Sequence, residues 1–166
     1  FYGAVYTIWL KRKSIWNIVI GGLAGSFATL AGSAAVNPII GPEAVILSVI
    51  LFLWTPPHFW SLAMAIGDDY EKASIPMLPN TLSNSLTTYI ILFHTIILVF
   101  VTALLMLYSS SLLYIFAIFI GGGYFIWTSI LLAIKKTKSA AMKNFFGSFI
   151  QLGLLLILII IDGIVI

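Results

Sequence analysis

The sequence predicts an all-α fold, a polytopic bundle of transmembrane helices. Of the 166 residues, 61% are hydrophobic and only 8% are charged, whereas a soluble domain usually carries about a quarter charged residues. Several apolar stretches exceed the ~18 residues that indicate a membrane-spanning helix. Almost all charged residues lie between these stretches. Together these observations predict about five full spans and one partial span in a lipid bilayer.

The first three apolar stretches are separated by a basic cluster and a turn. Phe1 to Leu10 would cover only ~15 Å as a helix, about half a bilayer, which predicts a partial span. After Lys11-Arg12-Lys13, a full span is predicted from about Ile15 to Val36. The segment 37–43 contains two prolines and a glycine, which indicate a turn. The next span covers about Ala44 to Ile66.

The rest of the chain predicts three spans that alternate with polar loops. These elements are an acidic loop (about Gly67 to Leu86), a span (Thr87 to Tyr108), a serine turn (109–111), a span (Leu112 to Ile134), a basic loop (Lys135 to Asn144) and a last span from Phe145 to the end.

The charge pattern predicts how these loops are placed across the membrane. Counted alternately, the loops at 11–14, 67–86 and 135–144 fall on one side and hold all eight Lys and Arg residues. Lys and Arg favour the cytoplasmic side, so we expect these loops to face the cytoplasm of a bacterial inner membrane, or the matrix of a mitochondrion. The net charge of +3 is therefore explained by the orientation of the protein in the membrane. No nucleic-acid partner is expected.

The start of the chain predicts a longer protein. The chain opens on Phe1, and its first stretch lacks the basic region of a signal peptide. We expect this stretch to be the cut end of a helix, and residues 1–166 to be the single membrane domain at the C-terminal end of a larger protein. The absence of cysteine excludes disulfides, thiolate metal sites and cysteine nucleophiles.

Small residues and prolines mark three of the spans. Gly21 and Gly25, like other pairs in that span, are four residues apart, which favours close helix packing in lipid over a ligand site. The triplet 121–123 is all glycine and favours packing or local loosening of its helix. Pro56 and Pro57 remove backbone donors. Irregular backbone is tolerated at membrane depth only beside protein or a cavity, so this pair predicts a broken helix that forms a cavity wall.

Acidic residues cluster just after the proline-containing span. Asp68, Asp69 and Glu71 are three of only five acidic residues in the chain. Mg²⁺ usually binds through one or two carboxylates, with substrate phosphate and water completing its shell. The cluster therefore predicts a site for a magnesium-bearing diphosphate. The residues alone leave open an alternative, a solvated helix start in which Asp68 pairs with Lys72 at i, i+4.

Basic residues and two histidines complete the candidates. Lys11 and Arg12 could bind phosphate, although juxtamembrane clusters of this kind commonly only set orientation, and this also applies to the lysines at 135–143. His58 and His94 are each expected ~10–12 Å from the acidic loop along their helices. Such residues are functional candidates in a membrane. They could line a pocket, ligate haem iron or bond to a neighbouring helix, and the sequence does not decide whether His94 is functional.

Four stretches carry a family resemblance. They are Y-T-I-W-L-K-R-K-S at 6–14, N-I-V-I-G-G-L-A-G at 17–25, W-T-P-P-H-F-W at 54–60 and D-D-Y-E-K-A-S-I-P-M-L-P at 68–79. In this order they resemble the protohaem IX farnesyltransferases, which are UbiA-type intramembrane prenyltransferases. The second half of the chain is similar only as a run of spans with charged loops on the expected side.

The resemblance implies nine transmembrane helices around a central cavity. It also implies transfer of farnesyl from farnesyl diphosphate to a vinyl group of haem B, giving haem O, with Mg²⁺ as cofactor. By this match Asp68 and Asp69 are the catalytic and metal-binding carboxylates. Lys11, Arg12 and Asn17 would face the diphosphate. His58, Trp54 and Trp60 would form the haem side of the pocket, and a downstream haem-modifying enzyme is a candidate partner.

The sequence departs from the family pattern in two ways. The first acidic motif, N-x-x-x-D-x-x-x-D, is absent, and Lys72 interrupts a D-x-x-x-D pattern that would start at Asp68. The chain alone is therefore expected to be inactive. Alternatives are a UbiA-type prenyltransferase acting on an aromatic quinone precursor, a transporter subunit, and an assembly factor for a respiratory complex.

Overall fold

In the part of the chain that the structure describes, five long helical segments and two short helices form an antiparallel bundle. The computed structural model describes residues 13–72, 75–108 and 112–165. Within these ranges the chain contains helices and no strand. Five helical segments are long and apolar enough to cross a membrane, so the protein is an integral membrane protein, as predicted. The partial span predicted at Phe1 to Leu10 lies outside the described residues.

The helices are numbered in chain order. They are α1 (Asn17–Val36), α2 (Pro42–Ala65), α3 (Gly67–Lys72), α4 (Leu78–Thr81), α5 (Asn84–Ala103), α6 (Leu112–Phe116), α7 (Gly123–Lys135) and α8 (Lys138–Val165). A 3₁₀ turn at Leu104–Leu107 extends α5, and a π-helical turn at Ala117–Gly122 joins α6 to α7 as one span.

The π-helical turn coincides with the predicted glycine triplet. Gly121 lies 3.2 Å (ideal Cβ position) from the backbone of Gln151 on α8, and Gly122 lies 2.9 Å from a Val99 methyl on α5. A π turn is a local loosening of the α-helix. Both readings of the triplet are therefore confirmed, because the glycines allow close packing where the helix is loosened.

Helix α2 passes through both prolines without interruption. Pro56 and Pro57 are buried inside the continuous helix Pro42–Ala65, so the predicted break is wrong. Neighbouring hydroxyls bond to the backbone here: Thr55 donates to the Leu51 carbonyl at 2.8 Å and Ser61 to the Pro57 carbonyl at 2.6 Å. Packing and the rest of the helical ladder keep the segment helical despite the two missing donors.

Two predicted loops contain more helix than expected. The acidic loop includes α3 and α4, because Asp68 and Asp69 favour a first helical turn and Pro79 occupies an early position of α4. The predicted basic loop 135–144 shrinks to two residues, since α8 begins at Lys138. Thr137 accepts the Ala140 N–H at 3.2 Å, so a capping hydroxyl starts the helix before the apolar stretch.

Buried polar side chains join the core helices. Asn144 of α8 donates to Ser61 of α2 at 2.8 Å and accepts from Thr128 and Ser129 of α7 at 2.9 and 2.8 Å. The Ser129 hydroxyl also lies 3.1 Å from the hydroxyl of Thr95 of α5. All five residues are buried, so this network fixes four helices around one point of the core.

Helix α1 packs on α2 at the margin of the bundle. Ser26 and Ser48 each donate to the other's backbone carbonyl, at 2.9 and 3.1 Å. Gly22 approaches Thr55 to 3.1 Å (ideal Cβ position). The close helix contact predicted for Gly21 and Gly25 is thus made by Gly22 and Ser26 instead, because they form the side of α1 that faces α2.

Candidate functional site

A large cavity lies between α1, α2, α3 and the segment that follows α3. Its volume is about 480 Å³. The lining residues are mostly small or apolar, with one amide, one hydroxyl and one phenol: Asn17, Ile18, Gly21, Gly22, Ala24, Gly25, Thr55, Phe59, Tyr70, Ile75 and Met77. Such a wall can hold an apolar chain and place a polar group at one end.

Asn17 occupies the loop end of this cavity. It is the first residue of α1 and is buried. Its Nδ2 donates to the carbonyl of Pro76 at 2.9 Å, which ties α1 to the segment after α3. The structure therefore places one residue predicted for diphosphate binding in the cavity wall. The other two, Lys11 and Arg12, lie outside the described residues.

Tyr70 is a cavity residue that the sequence reasoning missed. It lies on α3 directly after Asp68 and Asp69, and burial raises the pKa of its phenol. The phenol therefore stays protonated at neutral pH and can donate a hydrogen bond. Helical geometry could have found it, because Tyr70 points away from Asp68 in a helix. The helix start was considered only as the alternative to a loop, and this consequence for Tyr70 was not drawn.

Asp68 lies beside a second, smaller cavity. This space of about 270 Å³ also includes Glu71, Asn80, Lys136 and Lys138 among its lining residues. The Asp68 carboxylate lies 2.9 Å from the Lys138 ammonium, and its side chain is 74% exposed. The hydrogen bond from Lys138, followed by its charge, lowers the pKa of Asp68. Asp68 and Asn17 therefore line different cavities in this structure.

Asp69 makes the ion pair that was expected of its neighbour. Lys72 lies 3.8 Å from Asp69 at i, i+3, whereas the sequence alternative paired Lys72 with Asp68 at i, i+4. That alternative named the wrong pair, because Asp68 forms its ion pair with Lys138. Both aspartates remain largely exposed. No group of three His, Cys, Asp or Glu side chains that could hold a metal ion occurs within the described ranges.

The contacts at this end agree with the predicted grouping of loops. Asp68 of α3 bonds to Lys138, and Ser85 accepts a hydrogen bond from Lys136 at 3.0 Å. The acidic segment and the α7–α8 junction therefore lie at the same end of the bundle, as the charge pattern predicted. Which membrane face this end occupies stays a prediction.

His58 and Trp54 lie on the side of α2 that faces α8. His58 Nδ1 is 2.7 Å from the Ser148 hydroxyl, and its ring stacks on Trp54 with centroids 4.0 Å apart. Trp54 Nε1 donates to the Ser148 carbonyl at 2.9 Å. Phe145 and Phe149 of α8 complete the cluster. Neither His58 nor Trp54 lines the large cavity, so their haem-side role stays a prediction.

Trp60 and His94 form a separate contact between α2 and α5. Trp60 is fully buried and meets the His94 ring edge-on, with centroids 5.2 Å apart. His94 Nδ1 bonds to the carbonyl of Ile90 in its own helix at 2.9 Å. The three residues predicted for the haem side are therefore divided between two faces of α2. The wall of the large cavity is formed instead by Thr55 and Phe59.

Comparison with known proteins gives a consistent set of relatives. A model described as the UbiA prenyltransferase family matches residues 1–152. The chain is 53% identical to Protoheme IX farnesyltransferase 2 of Paramagnetospirillum magneticum, over 97% of this chain and 56% of that protein. It is 42% identical to Protoheme IX farnesyltransferase 1 of the same organism, over 97% of this chain and 57% of that protein. No solved structure matches the chain.

The lengths differ between the chain and these relatives. The chain spans about half of each of the two proteins from Paramagnetospirillum magneticum. A relative from Roseiflexus castenholzii, named Protoheme IX farnesyltransferase and 41% identical, is covered over only 30% of its length. Similarity therefore extends along nearly all of this chain, but not along all of its relatives.

Proposed function

The chain belongs to the UbiA prenyltransferase family, and we propose that the whole protein transfers a farnesyl group from farnesyl diphosphate to a vinyl group of haem B, giving haem O. The family match covers residues 1–152, so the resemblance inferred from the motifs is confirmed. Family membership favours a transferase over the transporter and assembly-factor alternatives.

The observation that carries the proposal is the similarity to proteins named protoheme IX farnesyltransferase. The identity of 53% extends over 97% of the chain, and it includes the segments that form the large cavity and α3. Because the chain spans about half of that relative, the proposed activity is that of the whole protein.

The cavity between α1 and α2 supports a site for the isoprenoid chain. From Asn17 to Gly25 its wall follows α1 over nine residues, ~12 Å of helix. Most of its lining is apolar or small, which suits a hydrocarbon. The amide of Asn17 and the phenol of Tyr70 mark the end next to α3, where the diphosphate would lie. Apolar walls also shield a reactive cation from water.

The residues of α3 fit a magnesium ion carried by the substrate. Such an ion usually takes one or two protein carboxylates and fills its shell with phosphate oxygens and water. Asp68 and Asp69 are adjacent and exposed, on the same short helix that places Tyr70 in the cavity. They would hold Mg²⁺, and Lys138 would exchange its carboxylate partner for phosphate. When bound, the ion neutralises the leaving diphosphate.

The proposed reaction consumes only the two substrates and one water molecule. The allylic C–O bond of farnesyl diphosphate breaks, and diphosphate leaves with the bonding electrons. A vinyl carbon of haem B attacks the farnesyl cation, which moves the positive charge onto the porphyrin side chain. Water adds there and loses a proton, giving the hydroxyl group of haem O. The protein's contribution is to hold both substrates within reach and to restrict water.

The haem side is proposed at the contact between α2 and α8. His58 and Trp54 form an aromatic cluster there with Phe145 and Phe149, and Phe149 is half-exposed. Flat aromatic surfaces suit a porphyrin. Trp60 would support this part of α2 from the opposite face. We further propose that the Lys- and Asp-rich end faces the cytoplasm or matrix, and that haem O passes to a downstream haem-modifying enzyme.

The test is product analysis with two acceptors. Membranes containing the whole protein are supplied with farnesyl diphosphate, Mg²⁺ and either haem B or an aromatic quinone precursor, and products are identified by mass spectrometry. Haem O from the first mixture and no prenylated product from the second is the expected result. Prenylation of the aromatic ring alone would exclude haem B as the acceptor.

A further inference from the structure

Two lysines at the α7–α8 junction have no anionic partner among the residues that the structure describes. Four of the eight Lys and Arg residues lie here, at 135, 136, 138 and 143. Lys138 pairs with Asp68, and Lys136 donates to Ser85. Within the described parts of the chain, neither Lys135 nor Lys143 forms a salt bridge or a side-chain hydrogen bond. Both are exposed, so two positive charges remain uncompensated in this region.

These two lysines border one cavity. The space between α7 and α8 measures about 140 Å³. Its other lining residues are Thr128, Leu131, Thr137, Ser139 and Ala140, with no carboxylate. Thr137 and Ser139 supply hydroxyls that can donate, whereas the Thr128 hydroxyl already donates to Asn144. Two ammonium groups and hydroxyl donors around a small space form a typical donor set for a phosphate group. The neighbouring cavity differs because Asp68 and Glu71 line it.

The start of α8 strengthens the positive potential of this cavity. The helix begins at Lys138 and runs for 28 residues. Thr137 accepts the N–H of Ala140, while the N–H groups of the first two residues precede any acceptor within the helix. The amino end of a long helix attracts negative charge, and here that end lies beside Lys135.

The position of the cavity corresponds to the headgroup level of a bilayer. Lys135 is the last residue of α7, and Lys143 lies five residues into α8, ~8 Å along the helix. The apolar part of the bilayer ends, and its phosphate groups begin, over a similar distance. Basic pockets between transmembrane helices at the cytoplasmic surface suit anionic lipid headgroups.

We propose that the cavity between Lys135 and Lys143 binds a phosphate group at the membrane surface. An anionic phospholipid headgroup and a free diphosphate share the required chemistry. No residue lines both this cavity and the large one between α1 and α2. The site is therefore distinct from the proposed site of the isoprenoid chain. It adjoins the cavity beside Asp68, because Thr137 lines both, and its occupancy does not depend on the proposed reaction.

The experiment measures ligand binding by the whole protein in a neutral detergent. Phosphatidylglycerol, zwitterionic phosphatidylcholine and inorganic diphosphate are titrated separately, with binding followed by native mass spectrometry. The variants are Lys135→Gln and Lys143→Gln, with Lys143→Arg to keep the charge. Lys13→Gln is the matched control, because it removes one exposed positive charge before α1 without touching the cavity.

The expected result is weaker ligand binding only in the variants that remove a positive charge from the cavity. Each Gln variant weakens binding about fivefold, while Lys143→Arg and Lys13→Gln bind like the unchanged protein. A loss seen with phosphatidylglycerol assigns the site to lipid, and a loss seen with diphosphate assigns it to free phosphate. Equal binding by all variants with both anionic probes, or an equal loss in Lys13→Gln, would overturn the proposal.

Discussion

Individual polar residues define the ends of the proposed site. Asn17 was predicted through the family resemblance alone, and it begins α1 and lines the cavity. Tyr70 could not be placed, because its direction depends on a short helix inside a segment that reads as a loop. Asp68 was found by its charge, but its pairing with Lys138 joins residues 70 positions apart and has no local sequence signal.

The two aspartates are expected to be required for activity and not for folding. We predict that Asp68→Asn and Asp69→Asn each lower haem O formation at least ~100-fold, since metal-assisted charge neutralisation contributes several kcal/mol to such reactions. The thermal midpoint in detergent should hardly change, because exposed ion pairs stabilise little. Glu43→Gln, an acidic residue at the start of α2, is the control and should retain activity. Unchanged haem O formation by both Asn variants would contradict the proposed role of these aspartates in binding the metal.

Tyr70 is expected to act as a neutral hydrogen-bond donor. Because burial raises the pKa of its phenol above the usual value near 10, the donor is present throughout the physiological range and is lost only in strongly alkaline solution. Tyr70→Phe should raise KM for farnesyl diphosphate roughly tenfold, the effect of one hydrogen bond to a charged group. The measurement is initial rate against substrate concentration from pH 6 to 9. An unchanged KM, or a tyrosine-dependent inflection within that range, would contradict this role.

At the level of helices, hydrophobic length predicted most of the bundle. All five full spans are present, and the largest errors fall where local capping overrides composition. Lys138 and Lys143 made the start of α8 read as a loop, although long basic side chains can extend from a helix towards water. The prolines of α2 made a continuous helix read as broken, because buried tertiary contacts around them are invisible in the sequence.

The π-helical turn gives a prediction at this level. Gly122→Ala places a methyl 2.9 Å from Val99, and Gly123→Ala places one where nothing lies within 4 Å. Val99 is β-branched and cannot easily rotate away. We expect Gly122→Ala to be less stable than Gly123→Ala by about 1–3 kcal/mol, measured by thermal unfolding in detergent. Equal stability would show that the π turn can shift to admit the methyl.

In the whole molecule, one amide joins four helices. Asn144 connects α2, α7 and α8 directly, and α5 through Ser129. This role could not be predicted from local patterns, because it arises from hydroxyls far apart in the chain. Helix α1, in contrast, attaches at the margin through α2, where the cavity opens between them. The site therefore lies at the border between a fixed core and a less constrained helix.

Loss of this amide should weaken the core. Asn144→Ala removes three interhelical hydrogen bonds, each worth about 0.6 kcal/mol in membrane proteins, so we expect a loss of roughly 2 kcal/mol. Asn84→Ala is the control, because Asn84 is exposed at the start of α5 and should unfold like the unchanged protein. Thermal unfolding in detergent measures both. Equal midpoints for the two variants would show that the network does not hold the helices together.

Prenyl-chain preference tests the assignment of the large cavity most directly. Gly25 lines that cavity, and Gly32 lies two turns further along α1 outside it; no atom lies within 4 Å of a methyl built at either position. In the whole protein, Gly25→Leu should lower farnesyl transfer to haem B and favour the shorter geranyl diphosphate, while Gly32→Leu keeps the preference for farnesyl. The same preference in both variants, compared by mass spectrometry of the haem products, would contradict the placement of the isoprenoid chain between α1 and α2.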